Sequence, residues 1–143
     1  MDADDECSEW AERLRGLAPF AAAVADPAFT FGAWHDSRRN DDGSYSMPWF
    51  EPSPDAVAVL GAVGRFGWIL PGFDWRTWME TEEGRRLSGD PAAIGTATPI
   101  QLARLFTAMI RSDRFVEGSL EGAYESGLLG RALERVAELA AER

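Results

Sequence analysis

The strongest helical pattern in the chain lies between residues 98 and 112. Hydrophobic side chains recur there at the spacing i, i+3, i+4, i+7 and i+8, which places them on one face of a helix. They are Leu102, Leu105, Phe106, Met109 and Ile110. Thr98, Pro99 and Gln101 form a start signal, because Thr and Gln three positions apart make a capping box and Pro suits the first helical turn. The pattern predicts a helix with one buried face.

A second segment with the same spacing begins near Ser119. Its apolar and small positions are Leu120, Ala123, Tyr124, Gly127 and Leu128. The link from Ser112 to Gly118 is short, so the two helices are predicted to be antiparallel or steeply crossed neighbours. Charged residues of alternating sign gather at this corner: Arg111, Asp113, Arg114 and Glu117.

Amphipathic patterns elsewhere predict helices over residues 5–18, 19–25, 54–66 and 75–88, and a last helix that runs to the end of the chain. The helix over residues 54–66 is apolar nearly all round, which is typical of a central helix. Its Gly61 and Gly64 predict a neighbour packed closely against that face, and Gly67 is predicted to end the helix as a C-terminal cap.

Residues 28 to 50 lack a helical pattern and are rich in aromatic side chains. They predict either a β-hairpin with its turn at Asp42-Gly43 or an ordered loop held by its aromatic residues. The fold class that follows is all-α. We expect residues 1–143 to form a single domain, a compact bundle of five to six helices with this aromatic loop or small hairpin near residues 28–50.

Charge and composition exclude several classes of function. All 14 basic residues are Arg, which excludes chemistry that needs a lysine. The net charge of −10 opposes direct nucleic-acid binding. Two interpretations of it remain: a charge that serves solubility, which is the favoured one, or an acidic face that meets a basic partner. No apolar run is long enough to span a membrane and no signal peptide is evident, so we expect a cytoplasmic protein.

The residues with reactive or metal-binding side chains, taken one by one, give little support for catalysis or metal binding. Cys7 lies on the apolar stripe of the first helix, where a cysteine usually serves as a small hydrophobic residue. His35 is the only histidine, and its neighbours Asp36 and Ser37 do not by themselves make a catalytic triad. We therefore expect no catalytic residue, no metal and no cofactor, and a non-enzymatic role is favoured.

Several short motifs resemble the signature of an uncharacterised bacterial family, a domain of unknown function. They are GWILPGFDW (67–75), Asp90-Pro91 with Ile94, TAMIRSDRFVEGSL (107–120) and the upstream MPWFEPSP (47–54). The likeness covers roughly residues 29 to 139. Val116 stands where the family often has a cysteine, which speaks against a thiol role. The resemblance implies a domain boundary and no particular activity.

The charged corner is the candidate site. Arg111, Asp113, Arg114 and Glu117 are interpreted first as a structural ion-pair network that fixes the corner. The alternative is a site in which the arginines hold a phosphate or carboxylate ligand, or a perturbed carboxylate performs acid–base work. The wall of a pocket beside it is predicted to come from Trp68, Asp74 and Trp75.

Three functions remain open. The favoured one is a small acidic interaction or regulatory protein with a protein partner. The second is an inhibitor that mimics nucleic acid and blocks a host-defence or DNA-binding complex, in the manner of an anti-CRISPR protein; the acidic N-terminal segment motivates it. The third is a small enzyme or ligand binder at the Arg111–Glu117 corner, which predicts a concave pocket that reaches one of the arginines.

Overall fold

The computed structural model describes residues 3–35, 38–115 and 118–142, and it is predominantly helical, as predicted. The elements in chain order are α1 (Ala3–Leu17), α2 (Pro19–Ala25), β1 (Gly32–His35), β2 (Arg38–Arg39), β3 (Tyr45–Ser46), β4 (Trp49–Pro52), α3 (Pro54–Arg65), α4 (Trp75–Glu80), α5 (Glu82–Gly89), a 3-10 helix (Pro91–Thr96), α6 (Pro99–Ser112), α7 (Ser119–Glu125) and α8 (Leu128–Ala141). Asp36, Ser37, Val116, Glu117 and the side chain of Cys7 lie outside the described part.

Helices α6 and α8 form the centre of the fold. The predicted stripe of α6 is buried, with Leu102, Leu105, Phe106 and Met109 all in the core, and its predicted capping box is present. Helix α6 contacts α4, α5, α7 and α8, while α8 contacts α1, α2 and the 3-10 helix. In the described part of the chain, none of the helices has the length and apolar character that crossing a membrane requires.

The segment after α3 is fastened to α6 by a buried threonine. Gly67 has a φ of 81°, which confirms its predicted role at the end of α3. Trp68 follows it and is completely buried, and its indole N–H donates to the carbonyl of Arg13 at 3.1 Å. The hydroxyl oxygen of Thr107 in α6 accepts the N–H of Leu70 at 2.9 Å. These bonds fix the chain between α3 and α4.

The single helix predicted over residues 75–88 is in fact two helices, α4 and α5. Thr81 interrupts it with an extended backbone, and the Thr81 hydroxyl accepts the N–H of Gly84 at 3.1 Å to cap α5. A Cβ atom at Gly84 would collide with the backbone oxygen of Trp78, so glycine permits this close approach.

The predicted central position of α3 was wrong. Only one face of α3 is buried, through Ala56, Val59, Ala62 and Val63. Val57, Gly61 and Gly64 lie on the exposed side, and a Cβ atom at either glycine would meet nothing within 4 Å. Small residues bury little apolar area, so this side can be left in water at little cost.

Of the two structures predicted near residues 28–50, the β-hairpin is the one present, over residues 32–52. Strands β1 and β4 pair antiparallel, with Trp34 opposite Phe50 and His35 opposite Trp49, and β2 pairs with β3. Gly43, at a φ of 89°, lies in the turn, and its N–H donates to the carbonyl of Asn40. Trp34 and Phe50 share the inner face of the hairpin, and His35 and Trp49 share the outer face.

Candidate functional site

The charged residues of the predicted corner that the structure describes bind different groups. Arg111 is half-buried at the end of α6 and donates to the carbonyl of Phe73 at 3.4 Å. Asp113 accepts the backbone N–H of Leu120 at 3.1 Å and so caps the first turn of α7. Arg114 is exposed. Among the described residues these three make no ion pair with one another, and Glu117 lies outside the description. A binding role for this corner stays a prediction.

Two of the three predicted wall residues lie near this corner. The ring of Trp75 is 6.0 Å from that of Phe115, and the guanidinium of Arg76 stacks over both rings, at 5.3 Å and 4.1 Å. Asp74 caps α4: the hydrogen bond from the Thr77 hydroxyl, and then that from the Thr77 backbone N–H, lower the pKa of Asp74.

Trp68 is placed elsewhere. Its indole ring packs between Trp10, with centroids 5.3 Å apart, and Phe106, with centroids 5.7 Å apart. Four of the clefts in the described surface have volumes from about 240 to 790 Å³, and neither Arg111 nor Arg114 lines any of these four. The described part of the chain also groups no three His, Cys, Asp or Glu residues in a way that would hold a metal ion.

The hairpin carries the most conspicuous exposed apolar surface. We define the outer hairpin face as His35, Tyr45, Met47, Trp49 and Glu51. The side chains of Tyr45, Met47 and Trp49 are 69%, 79% and 43% exposed. Their spacing by two residues is that of side chains on one side of an extended chain. Large apolar side chains left open to water in this way are typical of interaction sites.

The inner face of the hairpin, by contrast, is fastened to α7. The indole N–H of Trp34 donates to the Glu121 carboxylate at 3.0 Å. Gly118 lies directly under this indole, because a Cβ atom there would be 2.5 Å from the ring. Phe50 stacks on Phe31 at 5.8 Å. These contacts hold the hairpin from its inner side, where Trp34 nevertheless stays 45% exposed.

His35 belongs to the outer hairpin face and supports it. The imidazole stacks on the Trp49 ring, with centroids 4.1 Å apart and an angle of 14° between the planes. Its Nε2 is 2.9 Å from a carboxylate oxygen of Glu51. His35 thus contacts both the Trp49 ring and the Glu51 carboxylate. Because Glu51 holds the imidazole, the stacked imidazole holds Trp49 in place.

Carboxylates lie near the hairpin, on α7 at its inner side and at its turn. Glu121 and Glu125 lie one turn apart on α7, and the hydrogen bond and negative charge of Glu121 raise the pKa of Glu125. At the hairpin turn, the Ser44 hydroxyl and then the Ser44 backbone N–H lower the pKa of Asp42, which keeps it ionised. Arg39, on β2, is exposed.

The sequence patterns missed a polar cluster around Glu83. The carboxylate of Glu83 accepts from the Trp78 indole at 2.8 Å, from Gln101 at 3.1 Å and from Arg104 at 2.9 Å. Partial burial of Glu83 opposes ionisation, but these three hydrogen bonds and the charge of Arg104 outweigh it, so its pKa is lowered. An acidic residue in the first turn of a helix is common, and no sequence signal linked it to α6.

The comparison with protein families shows which family this chain belongs to. A family model described as "Family of unknown function (DUF6508)" matches residues 9–142. The chain belongs to this family. The DUF6508 match begins in α1, so the domain includes α1 and α2, which the resemblance over residues 29–139 had left out. No curated protein and no solved structure matches the chain.

Proposed function

We propose that this DUF6508 protein is a non-enzymatic interaction protein that binds a protein partner through the outer hairpin face. The observation that carries the proposal is the exposure of Tyr45, Met47 and Trp49 on a hairpin that Trp34 fixes to α7 from its other face. Aromatic residues and methionine are enriched in protein–protein interfaces, where they fill pockets and provide most of the binding energy.

Charge indicates the kind of partner. The chain carries a net charge of −10, and Glu51, Glu121 and Glu125 border the hairpin. A partner that presents an apolar patch flanked by Arg or Lys would complement both parts of this surface. A second copy of the chain fits less well, because two acidic surfaces would repel each other.

Nucleic-acid mimicry receives less support from the same carboxylates. A mimic needs a row of free carboxylates spaced like phosphates, whereas many described ones are used within the fold. Glu9, Glu83, Glu134 and Glu138 pair with arginines, and Asp74 and Asp90 cap helices. A site at the charged corner is likewise less supported, because the described clefts do not reach its arginines.

The proposal is tested with a photo-crosslinking amino acid, p-benzoylphenylalanine, placed at Met47 in cells of the source organism. The matched control places it at Val57 on α3, an apolar residue that is 56% exposed. We expect one discrete crosslinked protein from position 47 and none from position 57. Unlabelled wild-type chain should compete for this crosslink, and the Tyr45→Ser/Met47→Ser variant should not.

The proposed attraction between the carboxylates and a basic partner is tested separately. Replacing Glu121 and Glu125 by Gln should weaken capture of the same protein, and added salt should weaken capture by the wild type. Crosslinks that join two copies of this chain, equal crosslinking from positions 47 and 57, or competition by the Tyr45→Ser/Met47→Ser variant would each contradict the proposal.

A further inference from the structure

A cleft on another part of the molecule combines hydroxyl groups with apolar walls. Its volume is about 240 Å³, and it lies where α5, α6, α7 and the start of α8 meet. Four serines line it, together with apolar side chains such as Met79 and Leu105. The serines are Ser88, Ser112, Ser119 and Ser126. No charged side chain is among the lining residues.

The hydrogen bonds of these serines show which polar groups remain for a ligand. The hydroxyl of Ser88 donates to the Gly84 carbonyl at 2.5 Å, and that of Ser126 donates to the Ala123 carbonyl at 3.2 Å. A hydroxyl has one hydrogen to donate and two lone pairs that accept. Both hydroxyls therefore use their hydrogen within their own segment of the chain. The Ser126 oxygen also accepts the backbone N–H of Leu128 at 3.4 Å, so one of its lone pairs is used and one can still accept a hydrogen bond, as can the lone pairs of Ser88.

The remaining two serines form a pair in which the same reasoning fixes the donor. Ser112 donates to the Met109 carbonyl at 3.0 Å, and its oxygen is 3.1 Å from the oxygen of Ser119. Because the one hydrogen of Ser112 is used, Ser119 donates to Ser112. Ser119 thus also keeps its lone pairs, and the cleft presents acceptors rather than donors.

We propose that this cleft binds a small, uncharged molecule with an apolar body and N–H or O–H donors. The serines are partly or fully exposed, and their oxygens keep lone pairs beside apolar walls. A ligand with donors would bond to these lone pairs while its apolar body covers the methionine and leucine walls. An anionic ligand is excluded, because the lining offers no cation to offset the desolvation of a negative charge. The site is independent of the outer hairpin face.

Three related compounds test the proposal by NMR titration of the backbone amides. Indole has one N–H donor, 1-methylindole has the same ring without it, and indole-3-carboxylate adds a negative charge. We expect indole to shift the amides of Ser119, Gly122 and Ser126 and to bind roughly tenfold more tightly than 1-methylindole, the ratio for one neutral hydrogen bond. Indole-3-carboxylate should leave these amides unchanged.

Gly122 allows the cleft to be filled without harming the fold. It lines the cleft, and a Cβ atom there would meet nothing within 4 Å, so Gly122→Leu should fill the cleft and abolish indole binding. Gly61→Leu is the matched control, because Gly61 also has open space around it but lies on α3. Should Gly122→Leu fail to fold, Ser88→Ala/Ser126→Ala should abolish the preference for indole over 1-methylindole.

Three results would overturn the proposal. They are the absence of shifts at these amides with indole, equal binding of indole and 1-methylindole to the wild type, and unchanged indole binding by a folded Gly122→Leu protein.

Discussion

The tryptophans of the helical core and those of the hairpin differ in how much of their surface is exposed to water. Trp68 and Trp78 are buried, and their indole N–H groups donate to Arg13 and Glu83 within the core. Trp34 and Trp49 leave nearly half of their surface in water. The core tryptophans therefore stabilise the fold, Trp34 fixes the hairpin to α7, and Trp49 leaves a surface for contact with another molecule. Stability and binding should be separable by mutation.

The largest effect is expected in the core. Trp68→Ala removes a completely buried ring and leaves the Arg13 carbonyl without its donor, so we expect the free energy of unfolding to fall by about 3–5 kcal/mol. Urea denaturation followed by circular dichroism measures it. A loss below about 1 kcal/mol would mean that the core packs differently from the structure.

The Glu83 cluster should show the next largest effect. Glu83→Gln replaces an ionised acceptor that serves Trp78, Gln101 and Arg104, and we expect a loss of about 1–3 kcal/mol at neutral pH. Glu82→Gln is the matched control, since Glu82 is exposed in the same helical turn and takes no part in the cluster. Equal losses in the two variants would contradict a structural role for the cluster.

The same cluster predicts how stability depends on pH. The folded pKa of Glu83 lies below its ordinary value of 4.5, so its contribution is fully present above that pH and is lost as the pH falls through the folded pKa. Acid titration of the free energy of unfolding should give a shallower decline in Glu83→Gln. Asp74 and Asp42 act in the same direction, so a smaller decline remains. An identical decline in both proteins would contradict this assignment.

A smaller effect is expected where the hairpin meets α7. Gly118 has a φ of 89°, and a methyl group there would press on the Trp34 ring, so Gly118→Ala should cost about 1–2 kcal/mol. Adding Trp34→Ala should relieve the steric part of that cost. Gly122→Ala, in a helix with free space, should be neutral or stabilising. Thermal denaturation compares them, and a neutral Gly118→Ala would show that the hairpin does not seat on α7.

Local signals in the sequence predicted several elements well. The capping box at Thr98, the buried stripe of α6 and the left-handed Gly67 each depend on residues within a few positions of one another, and all three are confirmed. The hairpin was one of two alternatives for residues 28–50, because turn residues and aromatic residues fit an ordered loop as well.

Features that depend on distant residues were less accessible. The exposed side of α3 contradicts its predicted central position, because an apolar pattern does not show whether a neighbour exists. The split between α4 and α5 depends on the fit of Gly84 against Trp78, and the Glu83 cluster joins residues 18 and 21 positions apart. The alternating charges near Arg111 also gave no sign that Arg111 and Asp113 hydrogen-bond to backbone groups of Phe73 and Leu120.

The central claim is that the outer hairpin face binds a partner and contributes little to stability. It is tested most directly by a variant that should lose binding and keep its stability. In the Tyr45→Ser/Met47→Ser variant both altered side chains are largely exposed, so the free energy of unfolding should stay within about 1 kcal/mol of the wild type. The same variant should no longer compete for the protein crosslinked at position 47. Retained competition, or a loss of stability as large as that of Trp68→Ala, would contradict the assignment of the outer hairpin face to partner binding.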